Sequence, residues 1–401
     1  MLVEGVDNDK DELWNEDPAG GVNFNRNFPY NYAFFSPDAG PCPVSEAETR
    51  ALANFIIARP HISIIFAYGA MDNLAQTSAA ESRPTTSPES SSQTGARRGS
   101  AVSFAINPGD IAYYREIGKL YRDTVGIKNE IKSGSQSGTF ADWMYFHRGR
   151  FTLTTPSWTP AFQLEISKSS SQTNSEPAKR EKGEATETSG PARQASTSAS
   201  KTKATDDKRN EEERAFLRWV DQNAPESFVA WKSYKHPDFP GKKVEIGGFT
   251  PFAKTCPPES LLNSLAPKQL AFLNTLAAKT PRIQFRKCEV KSLGKSVYEI
   301  KIQVENVGYL PTLLAQGSVT ATANPTRVEL QVENAQFLSG SPKSQIGSIE
   351  GSMGMREAKW VIHAPNASAV TVRVISTLGG VINRTLKLVS ENLDDSQDID
   401  L

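Results

Sequence analysis

The chain has 401 residues, enough for two or three domains, and its 45 lysines and arginines balance 45 aspartates and glutamates. No basic stripe points to nucleic acid, and no apolar run approaches the roughly 18 residues that a membrane span needs. The three cysteines, Cys42, Cys256 and Cys288, stand far apart without a CxxC, which argues against a disulfide framework and a zinc ribbon.

At the start, MLVEGVDNDKDELW lacks the basic and apolar regions of a signal peptide. Asp7, Asp9 and Asp11 alternate as in a calcium loop. Glu12 and Pro18, however, stand where an EF-hand requires glycine and a carboxylate, so the stretch reads as a solvated acidic turn. Ser45 and Glu48 have capping-box spacing, followed by the helical stripe Leu52, Phe55 and Ile56, which Pro60 stops. ISIIF (62–66) reads as a short buried strand. Asp110 is placed to cap a second helix carrying Ile111, Tyr114, Ile117 and Tyr121, and RFTLTT (150–155) reads as another strand. Helices and strands in alternation imply a sheet flanked by helices.

Two segments, 76–100 and 168–212, are rich in Ser, Thr, Pro, Lys and Glu and offer no face to bury; they read as a disordered insertion and a disordered linker. Beyond them 210–222 reads as a helix, 228–249 as a loop followed by a strand, and 258–279 as helical. VYEIKIQVEN (297–306) alternates strictly, with Tyr298, Ile300, Ile302 and Val304 on one face; VELQVEN (328–334) and AVTVRVIS (369–376) repeat the period. Gly379-Gly380 reads as a hairpin turn. This is the signature of a small antiparallel β-sandwich with a polar outside. Tyr309, in VGYLPT (307–312), is the one faint cue for a ligand platform on it. Asn366 and Asn383 each begin an N-x-S/T sequon, a pattern that also arises by chance.

GVNFNRNFP (21–29), then GPCPVSEAETRAL (40–52), then FADWMYFHRGRFTLTT (140–155) resemble, in order, three segments of the zinc carboxypeptidases of the carboxypeptidase A type, peptidase family M14. The resemblance implies an α/β fold, an incomplete carboxypeptidase-like mixed sheet flanked by helices, followed here by the all-β antiparallel sandwich. It divides the chain into a partial peptidase-like domain at 1–167, the linker at 168–212, a helical and loop continuation at 213–282, the sandwich at 283–392 and an acidic tail at 393–401. It further implies a metallocarboxypeptidase ancestry, zinc as cofactor, a peptide or protein C-terminus as partner, and a secreted or periplasmic full-length form.

The same resemblance gives Asn25 and Arg26 the free carboxylate of a peptide's last residue, a role suited to a guanidinium fork with an amide beside it. The catalytic equipment does not follow. The four histidines, His61, His147, His236 and His363, are followed three residues on by Ile64, Arg150, Phe239 and Asn366, so no HxxE is present. In the family that motif lies upstream of NRNF, and the chain begins about twenty residues before that point. Phe66 occupies the position expected of a histidine ligand, and a phenyl ring cannot hold zinc. Thr155 or Pro156 stands where the general base belongs, and 132–134 contains no tyrosine. Glu245 is the remote candidate for a replacement base, with His236 nearby in sequence. The expectation is a chain that does not hydrolyse as it stands. The alternatives are a pseudo-peptidase that binds peptide C-termini or cell-wall peptides, and a secreted β-sandwich protein of adhesion or glycan-binding type.

Overall fold

A computed structural model describes residues 21–36, 38–74, 106–127, 137–160, 213–237, 241–320 and 324–388. The acidic turn at Asp7 to Asp11, both Ser-rich segments, positions 132–134 and the acidic tail lie outside the described residues. By internal contacts, the described parts of Met1–Pro156 and Leu265–Leu401 form one compact unit, and those of Ser157–Ser264 form a second.

In the first unit, helix α1 (Ala47–Ile57) leads to strand β1 (Ile64–Tyr68), helix α2 (Ile111–Val125) and strand β2 (Phe151–Thr155). The strands pair in parallel, Ile64 with Phe151 and Phe66 with Leu153. Every residue of β2 is buried, as expected of a parallel strand covered on both faces. Its outer edge is closed by a single asparagine. The Asn73 side chain donates to the Thr152 carbonyl and accepts from the Thr154 amide, both at 2.9 Å, and the Asn73 backbone amide donates to the Thr154 carbonyl. Tyr114, Ile117 and Tyr121 form the buried stripe of α2 that the spacing predicted, with Tyr114 packed on Phe151. Gly126, at φ +83, ends α2 in the left-handed conformation.

Two local expectations fail. Ser45 and Glu48 do not form a capping box, because Ser45 Oγ is drawn into a contact with Asn27, 18 residues away, and donates to Glu46. Asp110 sits at the N-cap position of α2 but makes no cap bond there. Its buried carboxylate turns instead to the amides of Ala315 and Gln316 and to the Tyr145 hydroxyl.

Of the three C-terminal segments read from the alternation, 297–306 and 369–376 coincide with strands, and 328–334 overlaps one that begins two residues earlier and ends at Gln331. β5 (Ile283–Gly294), β6 (Val297–Asn306), β8 (Gln336–Ser339) and β10 (Gly354–His363) form one antiparallel sheet in the order β5-β6-β10-β8. β7 (Thr326–Gln331), β9 (Lys343–Gly347), β11 (Ala369–Ser376) and β12 (Gly380–Lys387) form another in the order β12-β11-β7-β9. Ile300, Ile302, Trp360 and Ile362 from the first sheet share one core with Val328, Leu330, Val370, Val372 and Val374 from the second. Burying one such side chain fully contributes about 1.5–3 kcal/mol, so this shared face is what makes the alternation hold. Gly380 (φ +94) lies in the β11–β12 hairpin as expected. Tyr309 meets Tyr113 of α2 edge-on at 5.7 Å under the ammonium of Lys279, so this aromatic packs internally. Asn366 lies exposed in a turn between β10 and β11, and Asn383 is exposed on β12.

In the second unit, 213–223 is helical. β3 (Phe228–Tyr234) and β4 (Val244–Phe249) pair antiparallel, which corrects the reading of a loop before a strand over 228–249. β3 is exposed along most of its length, so no inward face imposes an alternation that the sequence could reveal.

Candidate carboxylate-binding site

The segment Asn23 to Phe28 folds as a single tight turn. Asn23 accepts the Asn25 amide on its side chain and the Arg26 amide on its carbonyl. Asn25 then reaches across to the third motif, its side-chain oxygen accepting the Phe140 amide at 3.0 Å. With the oxygen so engaged, the NH₂ is the end left to donate. Phe28 donates its amide to the Gly138 carbonyl, and its ring stacks on Trp143 at 5.5 Å. Gly138 is at φ +70, and a Cβ there would lie 2.3 Å from the Arg26 carbonyl oxygen, so glycine is what allows the two segments to touch.

Asn27 ties in the second motif. Fully buried, it donates to the carbonyls of Ala39 and Cys42 and to Ser45 Oγ, and accepts from Thr49 Oγ1 at 2.7 Å. The three motifs recognised in the sequence therefore converge on one turn. Asn27 was not singled out by the sequence reading; the only signal was its place as the second asparagine of NRN.

Arg26 emerges from this turn three-quarters buried. Its Nη1 donates to Asp38 Oδ2 at 2.9 Å, while its Nε is buried with no hydrogen-bond partner among the described residues. Asp38 also accepts the Ser36 hydroxyl at 2.7 Å. That bond and the Arg26 charge hold its carboxyl below the usual carboxylate range, against some desolvation. The geometry is that of an anchored guanidinium with donor capacity still unspent, next to an amide donor.

The position expected to hold zinc is built differently. Phe66 packs edge-on to Tyr68 at 5.0 Å, and against Tyr121 at 6.5 Å and Phe272 at 5.8 Å. Gln269, on the helix Glu259–Ala278, links the hydroxyls of Tyr68 and Tyr121, each at 3.1 Å. Burial pushes the Tyr121 hydroxyl up to about 12, so it stays protonated and serves as a packing and hydrogen-bonding group. Thr155, in register with Tyr68, is fully buried at the end of β2, and Pro156 follows it. This is an aromatic and amide cluster without a metal donor set, and zinc does not fit it.

The histidines do not repair it. His61 is exposed ahead of β1, His147 lies edge-on to Tyr30, and His363 ends β10. His236, in the second unit, lies beside Tyr234. Glu245 belongs to the β3–β4 pair of the second unit, its carboxylate about half exposed and paired with Lys243 at 3.0 Å. Among the described residues no group of three or more His, Cys, Asp or Glu stands ready to hold a metal ion. Nor is any described helix long and apolar enough to cross a membrane.

The first unit thus combines a parallel strand pair flanked by helices and a cradled Asn-Arg turn with an all-β module. Comparison with protein families agrees. Residues 5–176 match the model of the zinc carboxypeptidases, and residues 282–387 match a domain of unknown function, DUF8731. A search of curated proteins finds no match to the chain.

Proposed function

We propose that this protein is a carboxypeptidase-like pseudoenzyme that binds the free C-terminus of a peptide through Arg26 and Asn25 without hydrolysing it. The observation that carries the reading is the contrast between two sites. The turn bearing Arg26 is fixed from three directions and its guanidinium has donor capacity unspent. The position of the metal ligand is given over to Phe66 in an aromatic cluster. A planar fork beside an amide suits a carboxylate, whereas phenyl and phenol rings supply no Lewis acid to bind and activate water. A peptide C-terminus, cell-wall peptides included, is the ligand class, and a secreted or periplasmic setting goes with it.

The test compares short N-acetylated peptides with free and amidated C-termini, titrated against the wild type and Arg26→Ala. The wild type is expected to prefer the free acid by roughly tenfold or more, since a charge-assisted hydrogen bond is worth about 1.5–3 kcal/mol, and Arg26→Ala to lose that preference. Equal binding of acid and amide by the wild type, with no change in the variant, would overturn the reading.

A further inference from the structure

The guanidinium assigned to the ligand is already met by a carboxylate of this chain. Asp38 Oδ2 lies 2.9 Å from Arg26 Nη1, and that contact is not a chance meeting of two long, mobile side chains. Four bonds fix the short loop that carries Asp38. Its carbonyl takes the Asn23 amide at 2.7 Å, and the Ser36 hydroxyl holds the second carboxylate oxygen at 2.7 Å. The neighbouring Ala39 carbonyl takes both Asn27 Nδ2 at 2.7 Å and the Tyr32 hydroxyl at 2.9 Å. Asn27 thus positions both partners, Arg26 by its place in the chain and Asp38 through Ala39. Little side-chain entropy is left for the pair to lose on forming.

We propose that Asp38 is an internal competitor for Arg26, a residue that tunes how tightly a peptide carboxylate is held; this rests on the carboxylate-binding reading above. An incoming carboxylate must either displace Asp38 from Nη1 or share one cation with a second anion a few ångströms away. Both lower its affinity relative to an unaccompanied arginine. Asp38 is also short, about two-fifths exposed and bonded through a single guanidinium nitrogen. It can therefore be displaced, unlike a bidentate buried partner. The pair acts as a threshold: weakly anionic or amidated ends do not open it, and a full carboxylate does.

The experiment titrates N-acetylglycyl-L-phenylalanine and its C-terminal amide against the wild type, Asp38→Asn and Asp38→Ala. Circular dichroism and thermal melts check that all three are folded. Asparagine keeps one oxygen for Nη1, turns its NH₂ toward the Ser36 hydroxyl, which can rotate to accept it, and removes the charge. Asp38→Asn is expected to bind the free acid about three- to fivefold more tightly, the factor that an exposed pair of this kind supports, with the amide unchanged. Asp38→Ala should move in the same direction. A wild type that prefers the acid, with both Asp38 variants binding it more tightly still, would support the proposal. A wild type that prefers acid over amide, with Asp38 variants that bind acid equally or less well, would overturn the competitor role and leave the carboxylate site intact. No acid preference in any of the three would overturn the site and the competitor role together.

Discussion

At the scale of single residues, the legible part was the part written in a motif. Asn25 and Arg26 could be named from NFNRNF, and Phe66 from its place in FAYG, because each sits in a recognisable local string. Asn27 and Asp38 could not be weighed, because their partners lie 12 to 22 residues away and no local period announces them. Ser45 was misread for the same reason: a long-range donor, Asn27 Nδ2, claimed the hydroxyl oxygen that a helix start would use. Asn27→Ala should therefore cost far more than an ordinary polar truncation. It takes from the buried Thr49 hydroxyl and the Ala39 carbonyl one of the two partners each has, and removes the bonds to Cys42 and Ser45 as well, at about 0.5–1.5 kcal/mol for each bond lost. A fall of roughly 2–4 kcal/mol in urea-unfolding stability is expected. A change under 0.5 kcal/mol would show that the turn does not depend on it.

At the scale of elements, β6 and β11 were bounded to the residue because their shared core enforces the alternation, while the segment 328–334 overlaps β7, which runs Thr326–Gln331. β3 escaped because both its faces are largely solvated. Asp110 is the instructive case. Its position before a helix was legible, but its carboxylate serves a different helix, Ala315–Thr320, whose first amides it accepts at 2.8 and 3.1 Å. Burial raises its pKa despite these donors. A carboxyl whose folded-state pKa is raised contributes most to stability when protonated, below the ordinary value near ~4, and that contribution is lost as pH climbs through the raised value. Asp110→Asn turns an NH₂ toward at least one donor and should destabilise by about 1–3 kcal/mol. Urea titrations at several pH values should show the gap between wild type and variant narrowing as pH rises from about 4. A gap that widens would contradict the assignment.

At the scale of the whole molecule, the all-β module was expected as a separate domain, yet it shares a compact unit with the carboxypeptidase-like part. Besides the Asp110 clasp, Gln316 donates to the Phe146 carbonyl, and Tyr113 reaches both Glu350 and Tyr309. Gly149 lies so close to Gly317 that a Cβ on it would stand 2.4 Å from that Cα, at a φ of +58. Gly149→Ala should then lower the stability of both parts together, by roughly 2 kcal/mol or more. Hydrogen exchange read at β1 and at β6 checks this, and protection lost in only one of them would count against a shared unit. The joint was invisible in the sequence because scattered residues far apart in the chain carry it, and none of them marks an interface on its own. The account as a whole turns on the cluster around Phe66, and its most direct test is an amino-acid release assay on a blocked dipeptide with zinc supplied. Bound but uncleaved peptide, indifferent to a chelator, is the expected result; chelator-sensitive release of the C-terminal amino acid would contradict it.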